Sequence, residues 1–257
     1  MIKFFRKIRQ SLLNDGKTTK YFKYAVGEII LVMIGILLAL QVSNWNEKRN
    51  NKTKLESYIL TYKDVLKFNL QLFDNNIKGS EYYIKRNINT LQIRNFDSIP
   101  LDSLENWIET FYVNFDTKNF VHESFKNSQI TDFGKYDTII NRMQVYYTWG
   151  YAEIAEVIRQ HNDAVDKADD FWRFQQNSYE LNYNNDSKTS LQTKKVRKER
   201  IVKLIKSPRA RNILKLDIRK KKATIEWLKE YKKRSINNIL QINRTLNLKD
   251  ETIYSPE

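Results

Sequence analysis

The chain has no cysteine, which excludes disulfides, thiolate zinc sites and cysteine nucleophiles. Glycine and proline are scarce, at 6 and 3 of 257 residues. The Rossmann and phosphate-loop fingerprints need several glycines at fixed spacing, and neither occurs. Long stretches without either residue favour helices. Hairpin signals are lacking too: the lone Asp-Gly pair, Asp15-Gly16, lies near the N-terminus and joins no alternating apolar runs. There are only two histidines, His122 and His161. His122-Glu123 lacks the spacing of a His-Glu-x-x-His helix. A Glu-x-x-His pair ending at His161 needs an acid at position 158, where Ile158 stands. No serine nucleophile elbow is present. No catalytic residue, metal or cofactor is expected, and His161, on an apolar stripe, reads as a hydrogen-bonded core residue.

What is present is positive charge, unevenly placed. Residues 188–234 hold 19 basic and 4 acidic side chains, a net +15 equal to that of the whole chain. Residues 43–187 hold 17 basic and 21 acidic, a net −4. Such asymmetry suits an anionic partner; a solvated helix face offset by acidic neighbours is the plain alternative. The anion-binding candidates are Arg197, Lys198, Arg219, Lys220, Lys221, Lys222, Lys233 and Arg234. Anionic lipid or polysaccharide fits an exported domain, where nucleic acid is not expected.

One long hydrophobic run exists, inside "KYFKYAVGEIILVMIGILLALQVSNWNEKRN" (20–50). From Tyr24 to Val42 only Glu28 and Gln41 are strongly polar. Those residues reach about 28 Å as a helix, close to the roughly 30 Å hydrocarbon thickness of a bilayer. No small-x-small cleavage site follows, and Ile29–Leu40 has no polar face, so an uncleaved membrane span is expected. Tyr21 and Tyr24 at one end and Trp45 at the other suit interfacial anchors. Lys3, Arg6, Lys7, Arg9, Lys17, Lys20 and Lys23 against Asp15 place the N-terminus in the cytoplasm by the positive-inside rule. Residues 3–13 read as a short basic amphipathic helix for the inner leaflet. Glu28, Gly35, Ala39 and Val42 share one helical stripe, and Gly35-x-x-x-Ala39 is a small-xxx-small pattern. That seam predicts self-association or docking on another span. A tolerated interfacial acid paired with Lys20 or Lys23 is the other reading of Glu28.

The same stretch carries a resemblance. "KFFRKIRQSLL", Lys17-Thr18, Tyr24-Ala25, Gly27-Glu28-Ile29, Ile34-Gly35-Ile36, Ala39-Leu40-Gln41 and Asn44-Trp45-Asn46-Glu47 resemble the N-terminal signature of a family of single-span membrane proteins of Bacteroidota-type bacteria, itself uncharacterised. The likeness covers about residues 3–47. Farther on, Glu123-Ser124-Phe125-Lys126-Asn127-Ser128 and Tyr146-Tyr147 are similar to later segments of that family; members often carry a glycine soon after the serine, where Gln129 follows here. The resemblance implies a membrane-anchored helical protein and supplies no catalytic residues.

Beyond the span, Leu55, Ile59, Tyr62, Leu66, Leu70, Phe73 and Ile77 recur at steps of three and four, an amphipathic helix expected to stop at Gly79. Ile84, Ile88 and Leu91 begin another, ending near 95–98. Leu101, Leu104, Ile108, Phe111 and Phe115 form a third stripe, with Asp102-x-x-Glu105 resembling a capping box. A long stripe runs from Ile140 to Trp172, with a bend expected at Gly150. A basic helix over Lys194–Lys206 stops at Ser207, and Pro208 opens the last helix. The aromatics, Trp149 included, read mostly as core and helix-face residues, although Tyr82-Tyr83 and Tyr146-Tyr147 suit a groove wall as well.

The expected fold is all-α: a basic cytoplasmic segment (1–23), a transmembrane helix (24–43) and a periplasmic domain (44–257) of long antiparallel helices. The expected protein is a single-pass inner-membrane scaffold, accessory or sensor-like component, not an enzyme, partnered by the membrane and by itself or another membrane protein. The alternative from a different class is a tethered binder of an anionic polymer or lipid through residues 194–234; an enzyme of unstated type ranks third.

Overall fold

The structure, a computed structural model, describes residues 18–115, 120–180 and 189–249. Among them all regular structure is helical and no strand occurs. The basic segment 3–13 lies outside the described residues, as does the side chain of Tyr21. The chain divides into two compact units, Met1–Glu56 and Ser57–Glu257.

Helix α1 (Thr18–Gln92) is continuous over 75 residues. Its part in the first unit contains the one stretch among the described residues long and apolar enough to cross a membrane. The side chains there point outward on every side of the helix: Ile29, Leu31, Met33, Ile36, Leu38 and Leu40 are each more than half exposed.

Among the described residues, the second unit contains the rest of α1 and six further α-helices: α2 (Leu101–Trp107), α3 (Phe120–Lys126), α4 (Asp137–Val145), α5 (Tyr151–Arg173), α6 (Lys194–Lys206) and α7 (Pro208–Leu246). Gly79 does not end the first stripe; the helix runs through it. A Cβ at Gly79 would lie 2.3 Å from the Phe111 ring, so the glycine lets that ring rest on the backbone rather than breaking the helix. The apolar stripe is buried as its spacing requires: Ile59, Tyr62, Leu66, Leu70, Phe73 and Ile77 are all core residues. So are Ile225, Leu228, Tyr231, Ile239 and Ile242 of α7. Full burial of each such side chain stabilises the fold by about 1.5–3 kcal/mol. Partners descend along α7 as they ascend along α1: Tyr62 with Asn238, Asp74 with Lys232, Asn87 with Asp217, and the Leu91 carbonyl with Arg211.

The third stripe is shorter than its periodicity suggests. Helix α2 ends at Trp107, and residues 109–115 are not helical. Their backbone is satisfied by side chains from two flanking helices. Asn162 of α5 accepts from the Val113 N–H and donates to the Val113 carbonyl, each at 3.0 Å. Asn76 of α1 does the same for Asn114, at 3.2 and 2.7 Å. Arg86 donates to the carbonyls of Asn106 (2.7 Å) and Glu109 (2.6 Å). This accounts for buried Asn and Arg on otherwise apolar stripes: an unpaired backbone group in the core would be costly. Asp102 and Glu105 do not cap α2, because the N-cap is Pro100 and Glu105 is turned into the core.

Helices α6 and α7 begin as expected. Thr193 and Ser207 cap them by accepting from the backbone N–H three residues on, and Pro208 sits in the first turn of α7. A second core of Phe96, Leu104, Phe171, Trp172, Ile201 and Leu214 joins α2, α5, α6 and the start of α7. Gln129 has a backbone φ of +56°, in the left-handed region that favours glycine.

Candidate functional site

Three features bear on function, each built from a different kind of sequence.

The first is the apolar part of α1. Glu28, Gly35 and Ala39 lie on one helical stripe in the structure as in the sequence, and no heavy atom stands within 4 Å of the place a Gly35 Cβ would take. Tyr24 and Trp45 are exposed at the two ends of the apolar stretch, and Arg49 stacks over the Trp45 ring at 5.7 Å.

The second is the basic segment, which the fold sorts into two sets. Arg197 is 1% exposed and pairs with Glu105, which also accepts from the Tyr179 hydroxyl at 2.7 Å. Lys221 is fully buried and pairs with Asp217, itself hydrogen-bonded to Asn87 at 2.7 Å. These two cations, read as anion-binding candidates, are enclosed and held by carboxylates of the fold, because a buried charge needs a partner of opposite sign. Arg219, Lys220, Lys222, Lys233 and Arg234 are exposed on α7, and Lys198 donates to the Asp97 carbonyl at 2.6 Å. Arg234 is tied to Glu230 (3.2 Å) and Glu153 (3.4 Å), whereas Arg219, Lys220, Lys222 and Lys233 have no ion pair among the described residues.

The third lies where α4 meets α5. Residues Tyr146–Gly150 form a single π turn between the two helices, ending at the glycine where the sequence suggests a bend. Single π turns inside helices accompany functional sites often. Here the turn is held by α7. The Tyr231 hydroxyl is shared between the Gly150 carbonyl and Glu153 (3.1 Å), and a Cβ on Gly150 would sit 3.3 Å from the Tyr231 ring. Burial and the bond to Glu153 raise the Tyr231 pKa, so the hydroxyl remains a donor. Tyr146 and Tyr147 are buried, with Tyr146 accepting from Asn69 at 2.9 Å. Their role is packing and support.

The turn opens a cleft of about 640 Å³ between α4 and α7. Trp149 borders it and is 76% exposed, so it takes no part in the core. Its position off the buried stripe of Met143, Tyr147 and Ile154, directly before a glycine, is the sequence signal that marks it.

Both histidines make contacts inside the fold. His161 lies between the Thr224 hydroxyl (3.1 Å) and the Phe111 carbonyl (3.3 Å). His122 stacks on Tyr147, and burial lowers its pKa. Among the described residues no group of three or more His, Asp or Glu side chains could hold a metal ion. Compared with family models, curated proteins and solved structures, the chain matches none.

Proposed function

We propose that the protein is a single-pass component of the inner membrane, anchored by residues 24–43, with residues 1–23 in the cytoplasm and 44–257 in the periplasm. It acts without catalysis, as a scaffold, accessory or sensor-like module. Its periplasmic helices form a bundle whose long members run antiparallel, a reading supported by the descending order of α7 partners along α1. The resemblance of residues 3–47 to single-span proteins of Bacteroidota-type bacteria agrees with this placement. Self-association, or docking on another membrane protein, uses the seam of Glu28, Gly35 and Ala39.

The observation that carries the proposal is the outward-facing apolar surface of α1 between Phe22 and Trp45. At about 25 cal/mol per Å², a side-chain shell of that size is strongly driven out of water. The cationic N-terminal flank supports the orientation. Paired fusions after Lys249 test it. Alkaline phosphatase, active only outside the cytosol, should be active and found in the membrane fraction, while a green fluorescent fusion should be dark. Fluorescence with an inactive phosphatase would reverse the orientation and end the periplasmic reading.

A second reading is favoured by the exposed cations of α7. The protein would hold an anionic polymer or lipid surface through Arg219, Lys220, Lys222 and Lys233.

A further inference from the structure

We propose that the cleft at the π turn is a binding site for a short neutral oligosaccharide. The inference concerns the Ser57–Glu257 unit and is independent of membrane orientation.

The volume of about 640 Å³ lies within the range of ligand clefts, roughly 300–1,000 Å³, and suits a few sugar rings. Its lining combines an aromatic face with scattered hydrogen-bonding groups. Trp149 presents the face; the weakly positive C–H side of a pyranose is attracted to the negative face of an indole. The hydrogen-bonding groups are Thr138, Arg142, Asn237 and Asn238. Asn238 donates to the Tyr62 hydroxyl at 2.9 Å, and its Oδ1 has no partner among the described residues. The side chains of Asn237 and Arg142 likewise make no hydrogen bond among the described residues. An amide and a guanidinium offer planar arrays of donors and acceptors, and each sugar hydroxyl both donates and accepts, so the two sets match.

Charge decides against an anion. Asp137 and Glu153 line the same cleft as Arg142 and Arg234, so the formal charges cancel. Arg234 is committed to Glu230 and Glu153 and lies over the Tyr231 ring at 4.9 Å. A phosphate entering here would face two carboxylates with one uncommitted cation. The floor is braced by α7: Gly150 leaves room for the Tyr231 ring, the Tyr231 hydroxyl donates to the Gly150 carbonyl, and Trp149 stands in the same turn, on the rim.

The test uses the full chain in a detergent without a sugar headgroup, titrated calorimetrically with N,N′,N″-triacetylchitotriose and with cellotetraose. At least one should bind. Trp149→Ala should weaken that binding about tenfold, the scale of one lost stacking face. Asn237→Ala should weaken it in the same direction. Both residues are exposed, so both variants should keep the parent's circular dichroism. Trp227→Ala, outside the cleft, is the control and should bind as the parent does. Failure of both saccharides to bind, binding unchanged in Trp149→Ala, or displacement of the saccharide by millimolar inorganic phosphate would each overturn the proposal.

Discussion

His161 is uncharged in the folded protein at neutral pH, and this has a cost as the solution is acidified. Burial first, then the nearby Lys221 ammonium, bring its pKa down to about 4. Asp217 and the hydrogen bond to the Phe111 carbonyl pull the other way without prevailing. In the unfolded chain a histidine takes up its proton near pH 6.5. Between those values protons bind the unfolded state preferentially. The stabilisation is therefore complete above about pH 6.5 and is lost as the pH falls toward 4, by up to about 3 kcal/mol. Urea midpoints measured at pH 7.5, 6 and 4.5 should fall in that order, and His161→Gln should flatten most of the slope. A slope unchanged in the variant would show that His161 does not cause it. A second single-residue effect concerns Gln129. Its side chain is exposed and its φ of +56° suits glycine. Gln129→Gly should raise stability by about 0.5–1 kcal/mol, because relief of left-handed strain exceeds the entropy glycine adds to the unfolded chain. A lower melting temperature would count against it.

At the scale of helices, Gly35 and Gly79 sit in the same α1 for opposite reasons. Gly79 receives the Phe111 ring within its own molecule, while the space beside Gly35 is open. If that space is filled by a second copy, Gly35→Leu should lower the mass of the detergent-solubilised complex, measured by light scattering, toward that of a monomer. A complex of unchanged mass would remove the seam from the account. Much of the helical layout is legible in the sequence: the stripe Leu55–Ile77 is buried residue for residue, and the Ser207-Pro208 junction falls where its chemistry puts it. The failures share a physical cause. Gly79 and the 109–115 segment were misjudged because periodicity reports which residues are apolar, not which neighbour arrives. Phe111 follows the helical spacing yet lies on a non-helical segment, held by Asn76, Arg86 and Asn162 from far along the chain. The cleft was missed for a similar reason, since it depends on Tyr231 meeting Gly150 across 81 residues of sequence. Charge counts were also blind to enclosure, and could not separate Arg197 and Lys221 from the exposed cations around them.

For the whole molecule, the question is what its net charge of +15 does. Some of it neutralises acids within the fold, as at Glu105, Asp217 and Asp74. The cations exposed on α7, such as Arg219, Lys220, Lys222 and Lys233, are open to solvent and sensitive to ionic strength. Reversing Arg219, Lys220 and Lys222 together, with Lys221 left in place for its structural role, should abolish salt-sensitive retention on heparin-type matrices or anionic vesicles while leaving the helical signal intact. Retention that survives the triple change would remove the anionic-polymer reading and leave the scaffold. Residues 109–115 offer a different kind of handle. The amide protons of Val113 and Asn114 are guarded by one carboxamide from α5 and one from α1, not by a ladder of their own. Their exchange with heavy water is thus a built-in gauge of whether those two helices keep their spacing, readable at two adjacent positions without any added label.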